Sequence, residues 1–471
     1  MSDEAGVSYA SVTGRAVIGA AVLGSGMAML DSTVVNVALK AIGAELEASL
    51  ADLQWISNGY LLSLASLILI GGSLGDRFGR RKVFTIGVAG FAVASLLCGL
   101  AVNSQMLIAA RVLQGIAGAL LTPGSLAMIQ GAFVPDDRPR AIGAWTGLGG
   151  VATAIGPFLG GWLVEYVSWR WVFLINLPIA VLTLIVARRV PETKNPDTVP
   201  GFDIVGAVLG TLGLAGITYA LIELTTRPGT AYIALAVGVL AAIGFIVNEA
   251  RCPHPMMPLE LFRSKQFSGA NLMTLLVYAA LGAVLFFLVL QLQTVSGYPP
   301  LQAGMSTLPI TAVMLLLSAQ GGALAQKIGP RIPMTVGPLL CAGGVVLLSR
   351  VDEDPNYILE VGLPLVLFGL GLASLVAPLT ATVLAAAPDH QAGIASGINN
   401  AIARAGTLLS VAALPLIVGL SGDDYSVPSV FSEGYRSSML ICAGLLVAGG
   451  LLAFLTIRNP GRVLATSGAA E

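Results

Sequence analysis

Charge is scarce in this chain. Asp, Glu, Lys and Arg make up 10% of its 471 residues, against roughly 25% in a soluble globular domain. So few charges do not cover the surface of a soluble protein of this length, and that class is excluded. Histidine occurs twice and cysteine four times. Cys98, Cys252, Cys341 and Cys442 fall in separate segments without ligand-like spacing, so neither a metal site nor a disulfide framework is expected. A formal net charge of −1 gives no pointer to nucleic acid. Neither an H-E-x-x-H zinc motif nor a phosphate-binding glycine loop is present, and no extramembrane catalytic domain is visible. An enzyme is therefore not expected, and ATP hydrolysis is not the expected energy source.

Apolar residues, by contrast, make up 56% of the chain, with 57 glycines and a mean hydropathy of +0.86. They come in blocks of about 20, the length a helix needs to cross the hydrocarbon core. The blocks predict an all-α, polytopic membrane protein with fourteen helices, near 14–39, 52–74, 82–101, 106–130, 139–163, 169–189, 203–223, 231–250, 266–293, 302–325, 332–349, 358–384, 394–420 and 436–457. The opening stretch "MSDEAGVSYASVTGR" reads as a polar tail, and the first block as a span rather than a removed targeting segment. The Pro-rich 251–265 and the acidic 421–435 read as loops, since their polarity is costly in lipid.

With the N-terminus in the cytoplasm, 17 of the 24 Lys and Arg residues fall on cytoplasmic segments and five on exterior ones, while Arg111 and Arg404 lie inside spans. That asymmetry predicts both termini in the cytoplasm of a cell-membrane protein. The cluster "GGSLGDRFGRRK" (71–82) is more than a topological signal. Its glycines, Gly72 and Gly79, and its basic Arg77 and Arg81 recur as Gly322, Gly329, Lys327 and Arg331 in "GGALAQKIGPR" (321–331). Two matched copies at an offset of 250 residues predict a transporter built from two related halves. Asp76 is answered by Gln326, so only the first copy carries a carboxylate.

On these residues the chain resembles the major facilitator superfamily, and within it the fourteen-span drug:proton antiporters of the QacA/EmrB type. "GSLGDRFGRRK" is similar to the superfamily signature between helices 2 and 3. "LDSTVVNVAL" (30–39), "RVLQGIAGAL" (111–120) and "AIGPFLGG" (154–161) resemble motifs of helices 1, 4 and 5. "SWRWVFLINLPI" (168–179), "GFDIVG" (201–206) and "SGINNAIARAG" (396–406) extend the likeness along the chain. It implies the major facilitator fold: a tail at 1–13, a six-helix bundle at 14–190, a linker and two inserted helices at 191–250, a second bundle at 251–457 after its cytoplasmic loop, and a tail at 458–471. It also implies export of small amphiphilic substrates, multidrug efflux, in exchange for protons, with no cofactor beyond the proton gradient and with one chain able to act alone. The alternatives are a metabolite, lipid or peptide exporter or a symporter on the same scaffold, and, further off, a membrane protein that transports nothing. The chain departs from the pattern at Lys40, where proline is usual, and in a tenth span without an acidic residue, which argues against strong selectivity for dications.

Asp31, in the outer half of the first span, is expensive there unless paired, wetted or protonated. Arg111 comes to a similar depth in the fourth span and stays charged when buried. The pair is the candidate proton-coupling site, with Gln114 as a network partner and Ser32, Thr33 and Asn36 as further candidates to satisfy Asp31. The resemblance assigns a conformational gate to Gly72, Asp76, Arg77, Gly79 and Arg81. It assigns a bend of helix 5, packed on the other bundle, to Gly156, Pro157, Gly160 and Gly161. Arg404, beside Asn399 and Asn400, is an intramembrane cation without an assigned partner. Trp55, Tyr60, Trp145, Tyr278, Phe286, Phe287, Gln291 and Gln293 are candidate cavity walls. Asp203 reads as a plain helix-start carboxylate, and Glu165 and Glu223 as wet exterior groups.

Overall fold

The computed structural model describes residues 6–194, 203–388 and 391–459. Thirteen helices among them are long and apolar enough to cross a bilayer, and a shorter apolar segment, Trp171–Ala187, stands between the fifth and sixth of these. The protein is a multi-pass helical membrane protein. Helices are the expected answer to lipid, because each backbone donor finds its acceptor within the segment.

The first group comprises α1 (Val12–Leu46), α2 (Leu50–Phe78), α3 (Arg80–Gly99), α4 (Ser104–Ala132) and α5 (Arg138–Tyr166). A broken crossing completes it, formed by α6 (Trp171–Leu174) and α7 (Asn176–Ala187). The pair α8 (Ile204–Glu223) and α9 (Pro228–Arg251) follows. The second group comprises α10 (Lys265–Thr294), a crossing broken into α11 (Pro300–Ser306) and α12 (Leu308–Ile328), α13 (Arg331–Leu348), α14 (Leu363–Ala385), α15 (Ala392–Ile417) and α16 (Pro428–Thr456). Within the first group α4 packs on α2 and α3, and α1 on α5 and α7. Within the second, α10 packs on α15 and α16, and α13 on α14 and α16. The groups meet where α1 touches α10, α2 touches α15, and α5 touches α11 and α12, while α8 packs on α9, α2 and α15.

Several ends differ from the sequence reading. α1 runs to Leu46 rather than 39, because no proline or glycine interrupts it at Lys40. It stops at Glu47, in the left-handed region at φ 49°, whose N–H bonds the Gly43 carbonyl. α2 extends to Phe78, so Asp76 and Arg77 sit on its last turn and not in a loop. The acidic segment is a loop only through Val427; Pro428, which loses no hydrogen bond in a first turn, opens α16 and puts Phe431 and Tyr435 in the core. The sixth and tenth crossings break, the latter at Thr307 before Pro309. The twelfth begins in a π-turn at Tyr357–Gly362. Residues 1–5 and 460–471 of the tails, the linker 195–202 with Gly201 and Phe202, and 389–390 lie outside the described residues.

Candidate functional site

Asp31 is fully buried and Arg111 is 2% exposed. Arg111 Nη1 lies 2.6 Å from Asp31 Oδ2. Gln114 Nε2 donates to Asp31 Oδ1 at 2.8 Å, and Asn176 Nδ2 donates to the same oxygen at 3.2 Å. Ser95 Oγ accepts from both amides. The guanidinium also donates through Nη1 to Gln114 Oε1 and through Nε to the Ile56 carbonyl, and it sits 4.5 Å above the Tyr60 ring. A buried ion pair is tolerable only when its remaining valences are hydrogen-bonded, and this network does that from α1, α2, α3, α4 and α7. Ser32 and Thr33 do not help: their hydroxyls donate to carbonyls of their own helix, at Met29 and Leu30. Asn176 and Ser95 take that place. Asn176 was missed in the sequence although it stands within "SWRWVFLINLPI"; an asparagine amid apolar residues was the available signal.

Beside the pair lies a central cavity of about 340 Å³. Arg111, Tyr60, Ser32, Thr33 and Asn36 line it from the first group, and Tyr278, Phe286, Asn399, Asn400 and Arg404 from the second. Asp31 is not on its wall. Four expected wall residues belong elsewhere. Trp55 Nε1 donates to Glu223 and its ring packs against Tyr219 of α8. Trp145 donates to Ser25 Oγ. Gln291 is buried against the Val351 carbonyl and Ser432. Phe287 is stacked on Phe431 in the core of the second group.

Gln293, also expected on the wall, instead helps close one end of the cavity. Its Nε2 donates to the Val37 carbonyl, and its own carbonyl accepts from Lys40 Nζ at 2.6 Å. At the same end Gln54 donates to the carbonyls of Val411 and Ala412, and Tyr425 Oη donates to that of Ala48. Glu165 accepts from the Leu301 N–H. Glu165 and Glu223 are thus structural acceptors rather than wet surface groups. These hydrogen bonds, which join the two groups, all lie at this end.

Two faces of the "AIGPFLGG" segment serve different neighbours. A side chain at Gly156 would meet Thr33 Oγ1 at 2.0 Å, and one at Gly160 would meet Val34 at 2.7 Å, both on α1 of the same group. Gly161 and Pro157 face the other group: a Cβ on Gly161 would lie 2.6 Å from Leu301 Cα, and one on Gly304 would lie 2.2 Å from the Pro157 carbonyl oxygen. The expected packing on the other bundle thus belongs to Pro157 and Gly161 rather than to all four residues.

In the basic motif, Asp76 pairs with Arg80 at 2.8 Å, a residue the sequence reading left out. Arg80 also reaches the Ala127 carbonyl. Gly79 turns the chain at φ +115°, which L side chains rarely adopt. The N–H groups of Arg81 and Lys82 point at Glu192, and Arg81 Nη1 bonds the Val190 carbonyl. Arg77 Cζ lies 5.8 Å from the centre of the Phe78 ring, and a Cβ on Gly72 would meet Pro123 only at an ordinary 3.7 Å. The second copy repeats the construction: Gly329 turns at φ +86°, and the Arg331 N–H bonds Asn459 Oδ1. Each third helix is therefore clasped by a side chain just beyond its group's last helix, charged in the first copy and neutral in the second.

Asp203 caps α8 through the Gly206 N–H and accepts two bonds from Asn248. Burial pushes its carboxyl up, but hydrogen bonds from the Gly206 N–H, Glu249, Asn248 and the Met256 N–H together outweigh burial and hold it below its ordinary value.

Two groups of membrane-crossing helices around a central cavity, with a charge pair buried beside it, define a solute transporter rather than an enzyme. The chain belongs to the Major Facilitator Superfamily, whose family model matches residues 21–411. It is 38% identical to the tetracenomycin C resistance and export protein of Streptomyces glaucescens, over 85% of this chain and 75% of that one. It is 34% identical to a methylenomycin A resistance protein of Bacillus subtilis, over 95% and 96%, and 34% identical to the multidrug resistance protein Stp of Mycobacterium tuberculosis, over 83% and 73%. Its fold is similar to that of a D-xylose–proton symporter, with a TM-score of 0.68 and 16% identity over 94% of this chain and 98% of that one.

Proposed function

We propose that this protein is a proton-coupled exporter of small amphiphilic molecules, with both termini cytoplasmic in the cell membrane and one chain as the working unit. The carrying observation is the Asp31–Arg111 pair, buried at the edge of a cavity lined by both halves. The resistance and export proteins among its relatives support the direction of transport. Segments 14–190 and 251–457 are the two bundles that rock about the cavity, with 191–250 riding between them.

In this reading the hydrogen-bonded end is exterior, the cavity is sealed from outside in the present state, and the resting cycle holds Asp31 against Arg111 as a charge pair. Opening outward exposes the pair to the more acidic side. A proton on Asp31 then cancels its charge and loosens its hold on the guanidinium. On the return toward the present state the cavity faces the cytoplasm, and proton loss past the displaced guanidinium restores the pair. Substrate leaves as protons enter.

The test is proton flux in reconstituted vesicles with an imposed pH gradient. Asp31→Asn should abolish uphill transport and substrate-induced proton movement while sparing downhill equilibration. Wild-type coupling in that variant sinks the assignment.

A further inference from the structure

Arg404 is the charge in the cavity that the transport cycle leaves unused. It lies on α15 and lines the cavity opposite Arg111. Arg111 is matched by Asp31, whereas Arg404 has neither an ion pair nor a hydrogen bond among the described residues, and its Nε is buried without an acceptor. No carboxylate lines the cavity among the described residues. The neighbouring amides do not compensate: neither Asn399 nor Asn400 accepts a hydrogen bond from Arg404 among the described residues, and their Nδ2 groups donate elsewhere, to Asn271, Thr274 and the Ser396 carbonyl.

A guanidinium does not escape this position by losing its proton. Low-dielectric walls focus its potential into the cavity, and a buried donor left unmet is costly. A carboxylate or similarly planar anion resolves both, because the guanidinium fork offers parallel N–H donors to it. The remaining wall mixes hydroxyl and amide groups with an apolar face, where Leu281, Leu285, Phe286 and Val383 border a space of about 340 Å³, room for one small aromatic or aliphatic body. A cationic ligand would instead meet an unbalanced positive charge and no acid.

We propose that Arg404 is the anchor for an anionic headgroup, and that the preferred substrates are monoanionic amphiphiles such as aromatic or alicyclic carboxylates. The inference deepens the export reading and depends on it only for the cavity being the substrate site.

Equilibrium binding to purified protein without a pH gradient tests it, so a failure here leaves proton coupling standing. The probes are naphthylacetate, its neutral amide naphthylacetamide, and naphthylmethyl-trimethylammonium. Wild type should bind the carboxylate about tenfold or more tighter than the amide, the worth of one charge-assisted contact, and the cation weakest. Arg404→Gln should erase the difference between carboxylate and amide without weakening the amide, and Arg404→Lys should keep part of it. Equal affinity for the three probes, preference for the cation, or no saturable binding of the carboxylate overturns the proposal. So does a loss in Arg404→Gln that is equal for carboxylate and amide, which marks a structural arginine. Should Arg404→Gln not fold, the wild-type ranking and Arg404→Lys decide.

Discussion

Arg111 stands between Asp31 and the cavity: their charged atoms are 2.6 Å apart, and of the two only the arginine reaches the wall. Access of a proton to the carboxylate therefore requires the guanidinium to shift. The pair also predicts a coupled stability effect. Arg111→Gln leaves a fully buried carboxylate without its counterion and should destabilise by about 3–5 kcal/mol. Asp31→Asn combined with Arg111→Gln removes the stranded charge and should recover part of that loss. Thermal unfolding of the purified single and double variants measures the coupling; strictly additive losses would show that the two residues act separately.

The hydrogen bonds at the sealed end set how often the carrier opens there. Each is worth about 1 kcal/mol net. Gln293→Ala should therefore raise the open population several-fold, and Gln54→Ala likewise. A single cysteine at Ser32, in a Cys252→Ser background, reports the change by its labelling rate with an impermeant reagent applied outside. The other three cysteines are buried. Unchanged labelling in both variants argues that the seal lies elsewhere.

The gate motif predicts a loss of rate without a loss of fold. The Asp76–Arg80 pair is partly exposed, so breaking it costs at most about 1 kcal/mol of stability. Asp76→Asn and Glu192→Gln should both slow transport while leaving insertion and substrate binding intact, because they act on state populations. Gln326→Ala has no charge to lose and should do much less. Equal defects from Asp76→Asn and Gln326→Ala would refute an asymmetric gate.

Close packing at the interface of the halves gives a fourth expectation. A methyl on Gly304 points at the Pro157 carbonyl oxygen from 2.2 Å, whereas one on Gly147 meets nothing within 4 Å. Gly304→Ala should cost about 1–3 kcal/mol through overpacking. Gly147→Ala should be neutral or gain up to about 1 kcal/mol from helix propensity, the value of Ala over Gly. Unfolding temperatures compare them directly, and equal stability of the two variants would mean that α5 and α11 separate freely.

The helices, the two-fold repetition and the Asp31–Arg111 meeting were legible because each rests on pattern: apolar run length, a spaced motif, and equal depth of opposite charges in antiparallel spans. What escaped needed helix rotation. Hydropathy alone does not say that Trp55 turns toward Glu223, that Gln293 turns toward Val37, or that Ser32 and Thr33 spend their hydroxyls on their own helix. Arg80 was passed over because three arginines in one loop look alike until the turn at Gly79 chooses which one reaches back to Asp76. Glu192 and Asn459 were illegible for another reason. They lie more than a hundred residues from the helices they cap, and neither neighbours a motif.

Those two caps make each half a closed loop of chain, its tail tied to its own third helix. Such a loop keeps its tie when the connection to the other half is cut. Two polypeptides made by breaking the chain between Lys194 and Asp203 would each still carry a complete clasp, so a carrier assembled from separately synthesised pieces is within reach of this architecture.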